Sequence, residues 1–283
     1  MMYYLLAIAG ALCGAIGENG QDRLARFISW FLFDVTRVRR DLMISNLEIA
    51  FPGMSDDERI RTARESLYHL CLTMIEFLAS KHRDISAQVS VKNPEYVREI
   101  LARGEGMYAV VTHLGNWEAF GSALTRQVAP THVIVKKVGG PAMNRRVEEL
   151  RAFNDFLTIK RKKKGDAFAA IREALTGNRV IGFVMDQSRP GEPKLPFFGR
   201  PAKTNTSLAA IWRKCPAPLV PAMLHRIPGT RRMEIEFLPE IKLETTTDEA
   251  ADILRHSTVF NGAVEAIIRR HPDQYFWMHA RWK

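Results

Sequence analysis

The chain is predicted to be an α/β protein, a largely parallel sheet covered by helices, with a helical stretch at its N-terminal end. Three observations predict this. From about residue 105 onward, short apolar runs alternate with amphipathic stretches, as parallel sheets require when each crossover lays a helix on one face. Residues 1 to about 85 carry helical periodicities and no strand pattern. The 283 residues are 46% apolar, enough to build a sizeable core.

Met2 to Gly17 is almost wholly apolar and uncharged. It falls short of the roughly 20 residues that span a bilayer as a helix, and it lacks the positive flank of a signal peptide. After a polar break at Glu18 to Asp22, a second segment places Leu24, Phe27, Ile28, Phe31, Leu32 and Val35 on one helical stripe. Arg23, Arg26, Arg37, Arg39 and Arg40 flank it. An apolar stripe beside arginines suits a helix lying on anionic lipid, although an ordinary core-facing helix has the same period. The expected division is residues 1–40 as membrane-associating helices and 41–283 as a single α/β domain. Whether the first segment spans or lies on a bilayer stays open.

Pro52-Gly53 makes a turn, and Ser55-Asp56-Asp57-Glu58 is a capping box. The helix it starts carries Ile60, Ala63, Leu67, Leu70, Met74, Phe77 and Leu78 at helical spacing. Strands are predicted at Met107 to Thr112, His132 to Val135, Arg179 to Met185, Leu219 to Leu224 and Met233 to Leu238. Helices are predicted at about 116–127, 141–157, 166–176 and 205–214. A long closing helix runs from Asp248 to Arg270, stopped by Pro272.

Forty-one Lys and Arg against 31 Asp and Glu give a net charge of +10, which favours an anionic partner. Phospholipid headgroups, nucleic acid or an acidic protein would each satisfy that charge. No nucleic-acid motif accompanies it, so nucleic acid is not an expected partner. Cys13, Cys71 and Cys215 are odd in number and widely spaced, which argues against a disulfide framework. Neither CxxC nor HExxH occurs, so no metal is expected. The run Arg161-Lys162-Lys163-Lys164 is the densest charge block, either a solvated loop or a docking element.

The chemistry centres on Val110-Val111-Thr112-His113-Leu114-Gly115-Asn116-Trp117-Glu118. His113 falls at the C-terminal tip of a strand just before a helix, the edge where open α/β sheets gather their sites. Glu118 follows by five residues, a spacing that chance alone supplies about once in this composition, so the setting rather than the spacing gives it weight. On one helix the two side chains would point about 140° apart. They can meet only if Gly115 makes a tight turn that leaves Glu118 on the first helical turn. A carboxylate there would fix the imidazole tautomer, free His113 to act as general base, and leave the helix-start amides to receive an oxyanion. No Gly-x-Ser-x-Gly elbow occurs and no cysteine sits in a turn beside a histidine, so direct attack by a bound hydroxyl is expected rather than a covalent intermediate. His69 and His256 lie in helical patterns and read as structural.

Thr112 to Glu118 is similar to the His-x4-acid motif of the lauroyl/myristoyl lipid A biosynthesis acyltransferase family, within the wider glycerolipid acyltransferases. The resemblance extends over most of the chain. It includes Arg39-Arg40 to Asn46-Leu47 with Ala50-Phe51-Pro52, Asp186-Gln187, Pro196 to Thr204, and Pro272 to Lys283. It implies a glycerolipid-acyltransferase-like fold and transfer of a fatty-acyl chain from a thioester to a hydroxyl of a lipid A precursor or related glycolipid. It further implies acyl carrier protein as donor, a membrane glycolipid as acceptor, an anionic membrane surface as partner, and the cytoplasmic face of the bacterial inner membrane as location. No cofactor is implied. His113 and Glu118 carry over as the catalytic pair. Arg151 also carries over, and with Gly115, Asn116, Lys136, Lys137, Asp186 and Gln187 it makes up the substrate-binding candidates. Lys136 and Lys137 stand where an arginine often occurs in the family, and lysine keeps the charge but loses the bidentate fork. Phe197 and Phe198 could line an acyl groove or form a core pair. Tyr275, Phe276, Trp277 and Trp282 read as packing. Transfer to another phospholipid, glycolipid or aminolipid, or lipid binding without catalysis, are the alternatives.

Overall fold

The computed structural model describes residues 1–135, 139–160, 166–187 and 190–282. Lys136, Lys137 and the run Arg161 to Lys164 lie outside the described residues. The first part is helical: α1 (Met2–Ala15), α2 (Gly17–Trp30) running into a π-helical turn (Phe31–Val35), α3 (Arg40–Ala50) and α4 (Asp56–Ala79). The capping box forms as expected, with the Ser55 side chain on the Glu58 amide and Glu58 reaching back to the Ser55 amide. α4 is the spine of this half. α1 approaches it so closely at Gly10 that a Cβ would lie 2.4 Å from the Leu78 carbonyl oxygen.

The second part holds β1 (Val89–Val91), α5 (Pro94–Ala102), β2 (Met107–Val111), α6 (Trp117–Gln127), β3 (Thr131–Val135), α7 (Pro141–Phe153) and β4 (Leu157–Lys160). It continues with α8 (Asp166–Thr176), β5 (Val180–Val184), β6 (Lys194–Phe197), β7 (Arg200–Lys203), α9 (Ser207–Lys214), β8 (Leu219–Arg226), β9 (Met233–Phe237) and α10 (Glu249–Arg270). The seven-stranded sheet has the order β1-β9-β8-β2-β5-β3-β4, and β6-β7 is a separate antiparallel hairpin. Every neighbouring pair is parallel except β8 and β9. The sheet is therefore mixed, mostly parallel with one reversed edge. β2 is the central strand, buried at every position, and its residues contribute to the core on both faces.

The helix expected to reach residue 157 ends at Phe153, because Asp155 takes φ +56° and the chain then enters β4. The Leu24 to Val35 stripe does not simply face the core. α2 buries Gln21, Ala25 and Ser29, while Phe27, Trp30, Phe31 and Val35 are exposed and Leu24, Ile28 and Leu32 pack at its margin. On α1, Met2, Tyr4, Leu5, Ile8 and Leu12 are exposed as well. Among the described residues no helix is long and apolar enough to cross a membrane.

Candidate active site

β2 delivers His113 to the C-terminal edge of the sheet, and the chain turns at once into α6. Gly115 makes the turn with φ +59°, and a Cβ there would lie 2.0 Å from the Leu224 carbonyl oxygen, so no other residue fits. Asn116 caps the helix by accepting from the Ala119 amide at 3.0 Å. The first amides of α6, beside His113, have no acceptor within their own helix.

The imidazole is held by Asp186, two residues beyond β5. Nδ1 lies 2.8 Å from Asp186 Oδ1, and the His113 amide donates to Oδ2 at 3.0 Å. β2 and β5 pair in register up to Val111 and Val184, so the two strand tips are neighbours. Asp186 is 1% exposed. Burial pushes its carboxyl up, but the facing His113 and the hydrogen bonds pull it further down, to about 2. Burial lowers the His113 pKa, yet Asp186 outweighs it and the net shift is upward, with Glu118 assisting and Arg151 opposing. Asp186 is thus ionised near neutral pH and accepts the Nδ1 proton, which leaves Nε2 as the basic atom of the neutral ring. Trp117 meets the ring edge-on at 5.1 Å, and Phe276 lies at 6.0 Å.

This corrects the expectation that Glu118 orients the imidazole. Glu118, on the first turn of α6, is gripped instead by Arg151 of α7 through bonds of 2.9 and 2.6 Å. Both side chains are largely buried, and the guanidinium also lies 5.3 Å over the Phe156 ring. The sequence spacing pointed to the nearest acid along the chain, whereas the bonded one arrives across the sheet. Gly115 and Asn116, expected at the substrate, are committed to the turn. The Gly115 amide donates to the Gln274 carbonyl at 3.0 Å, and Asn116 is fully buried with its amide nitrogen 2.8 Å from Glu76 Oε2. Gln187 follows Asp186 and is partly exposed.

Sequence reasoning missed Glu76, Arg226 and Gln274, which brace this turn. Glu76 left a signal, a lone acid inside the apolar run Leu70 to Leu78 of α4. The closing segment does more than pack. Phe276 donates its amide to the His113 carbonyl at 3.0 Å, and Leu114 and Tyr275 form an isolated β-bridge. Burial and the nearby Asp186 carboxylate hold the Tyr275 phenol well above its ordinary pKa. His69 is held at about 3 by burial, and His256 bonds the Glu244 carbonyl at 2.8 Å, both consistent with structural roles. Phe197 is fully buried and stacks on Trp282, while Phe198 lines a cleft of about 710 Å³ with Phe51 and Arg269, away from His113. His225, Glu234 and Glu236 come within 4.8 Å of one another, a cluster the sequence gave no hint of, but Arg270 and Lys92 already pair with Glu236.

Burial raises the thiol pKa of Cys13 and lifts Cys71 to about 11, so neither is a ready nucleophile. What remains at the sheet edge is a histidine with its carboxylate, a helix start and a largely buried arginine. The sequence aligns at 23% identity over 255 residues with the lipid A biosynthesis lauroyltransferase of Escherichia coli (strain K12), covering 87% of this chain and 79% of that protein. The family model for bacterial lipid A biosynthesis acyltransferases matches residues 1–283, and the chain belongs to that family.

Proposed function

We propose that this acyltransferase moves a fatty-acyl chain from an acyl thioester, carried by acyl carrier protein, to a hydroxyl of a lipid A precursor or related glycolipid at the cytoplasmic face of the bacterial inner membrane. The observation that carries the reading is His113 at the sheet edge, fixed through Nδ1 by Asp186 just before α6, whose Glu118 holds Arg151. Nε2 of the neutral ring takes the proton of the acceptor hydroxyl as its oxygen attacks the thioester carbonyl. The C–O bond forms, negative charge collects on the carbonyl oxygen, and the first amides of α6 and the guanidinium of Arg151 are the donors assigned to it. Collapse breaks the C–S bond, and the imidazolium returns its proton to the departing thiolate. Glu118 holds Arg151 in place by the paired bonds. Direct transfer fits the buried, raised thiols of Cys13 and Cys71. The exposed apolar faces of α1 and α2, beside the exposed Arg23 and Arg37, suit an anionic lipid surface. The net charge of +10 and the run Lys162 to Lys164 suit electrostatic steering of an acidic carrier.

The test is turnover of purified protein and His113→Ala, each with acyl carrier protein and with coenzyme A as thioester, across a salt series. We expect His113→Ala to lose roughly 10²–10⁴-fold in rate while staying folded. The carrier-bound donor should be preferred, and the preference should fade with salt. His113→Ala working at the parent rate would remove the mechanism. Equal use of both donors at every salt concentration would remove the carrier.

A further inference from the structure

We infer that Thr73 and Glu76 of α4 are positioning residues for the reaction, holding the base and the start of α6 at a fixed separation. The inference rests on His113 as the base. Thr73 and Glu76 are three residues apart and share one face of α4. They are 0% and 2% exposed. The Thr73 hydroxyl donates to the Gly115 carbonyl at 2.9 Å, and Glu76 Oε2 accepts from the Asn116 side-chain amide at 2.8 Å. Gly115 and Asn116 lie between His113 and α6, so α4 grips the turn at both of its decisive residues.

The grip is itself closed into a ring. Arg226, at the end of β8, donates to the Thr73 hydroxyl at 3.1 Å and to both oxygens of Glu76 at 3.0 and 2.6 Å. Gln274 brackets the Arg226 backbone, accepting from its amide at 2.7 Å and donating to its carbonyl at 3.0 Å. The Gln274 carbonyl then accepts from the Gly115 amide. Arg231 adds a bond of 3.1 Å to Glu76 and reaches Gln21 of α2 at 3.2 Å. A buried ion pair is a weak source of stability, since its desolvation offsets most of its attraction. Its value here is geometric. Each bond fixes a direction that apolar packing would leave free, and the directions converge on the turn that sets the distance from His113 to the α6 amides. Reaction rates are sensitive to such distances, with about 1 Å of misplacement costing roughly 100-fold.

The test uses full-length protein and compares Thr73→Val, Thr73→Ser, Glu76→Gln and His113→Ala, with kcat and KM measured per folded molecule. Thr73→Val keeps the shape and removes the hydroxyl, and Thr73→Ser restores the hydroxyl. We expect Thr73→Val to lower kcat roughly 10- to 100-fold with KM little changed, and Thr73→Ser to regain most of that loss. Glu76→Gln should fall at least as far. A role confined to stability would lower the melting temperature and leave kcat per folded molecule intact. Thr73→Val at the parent kcat, or Thr73→Ser as slow as Thr73→Val, overturns the inference. If Glu76→Gln does not fold, the Thr73 pair decides the matter. His113→Ala separates the two readings: dead beside a normal Thr73→Val, it leaves the base standing and removes only the positioning role, whereas at the parent rate it removes both.

Discussion

Asp186 acts on His113 in two ways that pH separates. It raises the imidazole pKa, so the basic form appears at higher pH than for a free histidine, and it fixes which nitrogen carries the remaining proton. In Asp186→Asn the acid limb of the kcat/KM profile is expected to move to lower pH, because the charge that raised the pKa is gone. The plateau should drop roughly 10²–10⁴-fold, because an amide can favour the wrong tautomer. Stability should follow the opposite sense. The raised His113 pKa contributes stability that is complete below 6.5 and is lost as pH rises through the raised value. The depressed Asp186 pKa contributes stability present above 3.8 and lost as pH falls through about 2. Melting curves of parent and Asp186→Asn across pH test both, and an unmoved acid limb would show that the carboxylate does not govern the base. His113 and the glycine turn were legible in the sequence because strand, turn and helix start lie in one continuous stretch. The partner of His113 was not, because strand order decides which tip becomes its neighbour. Asp186 directly follows the strand predicted at Arg179 to Met185, but nothing in one sequence says that β5 adjoins β2.

At the scale of elements, the helices were the more readable part. Caps and periodicity are local, and the Ser55 box, the Asp248 cap and the stop before Pro272 all form where the chain spells them. β1, β4 and the β6-β7 hairpin escaped notice. Each is three or four residues long, too short to show a period, and each exists because a neighbour offers an edge to pair with. The approach of α1 to α4 at Gly10 was likewise invisible, and it makes a prediction. A side chain at residue 10 must displace backbone at Leu78, so Gly10→Leu should detach α1 from α4. Limited proteolysis should then cut within residues 1–16 much faster than in the parent. Ser55→Ala serves as the control, since it should cost about 1 kcal/mol through the lost cap without exposing α1. Equal cleavage of Gly10→Leu and parent would mean that α1 does not depend on this contact.

At the scale of the whole molecule, the first two helices leave several large apolar side chains exposed. Leu5, Ile8 and Leu12 of α1, Phe27 and Trp30 of α2, and Phe31 just past it stay exposed while other residues of the same segments are buried. Phe33, Ala25 and Cys13 go inward, which makes these helices part of the body as well as its apolar face. Deleting residues 1–35 would strip α4 along with the surface, so point changes are the better probe. Converting Leu5, Ile8, Leu12 and Phe27 to Ser should release the protein from anionic vesicles in a flotation assay while leaving its melting temperature near that of the parent. Parent protein that fails to float would remove the membrane claim. Retained flotation of the substituted protein would place the contact elsewhere.

The bracing of the His113 turn by residues 274–276 has a consequence in time. His113 is translated well before Tyr275, and at roughly 5–20 residues per second the interval is on the order of 10 s or more. Through that interval the nascent chain has His113 and its glycine turn but no Gln274 to hold Arg226 and no Phe276 against the imidazole. The helices with the exposed apolar face leave the ribosome earlier still. Under the membrane association proposed above, the order of synthesis lets the growing chain settle on a surface before the His113 turn is fully braced, and completion of that turn becomes a late step of biogenesis.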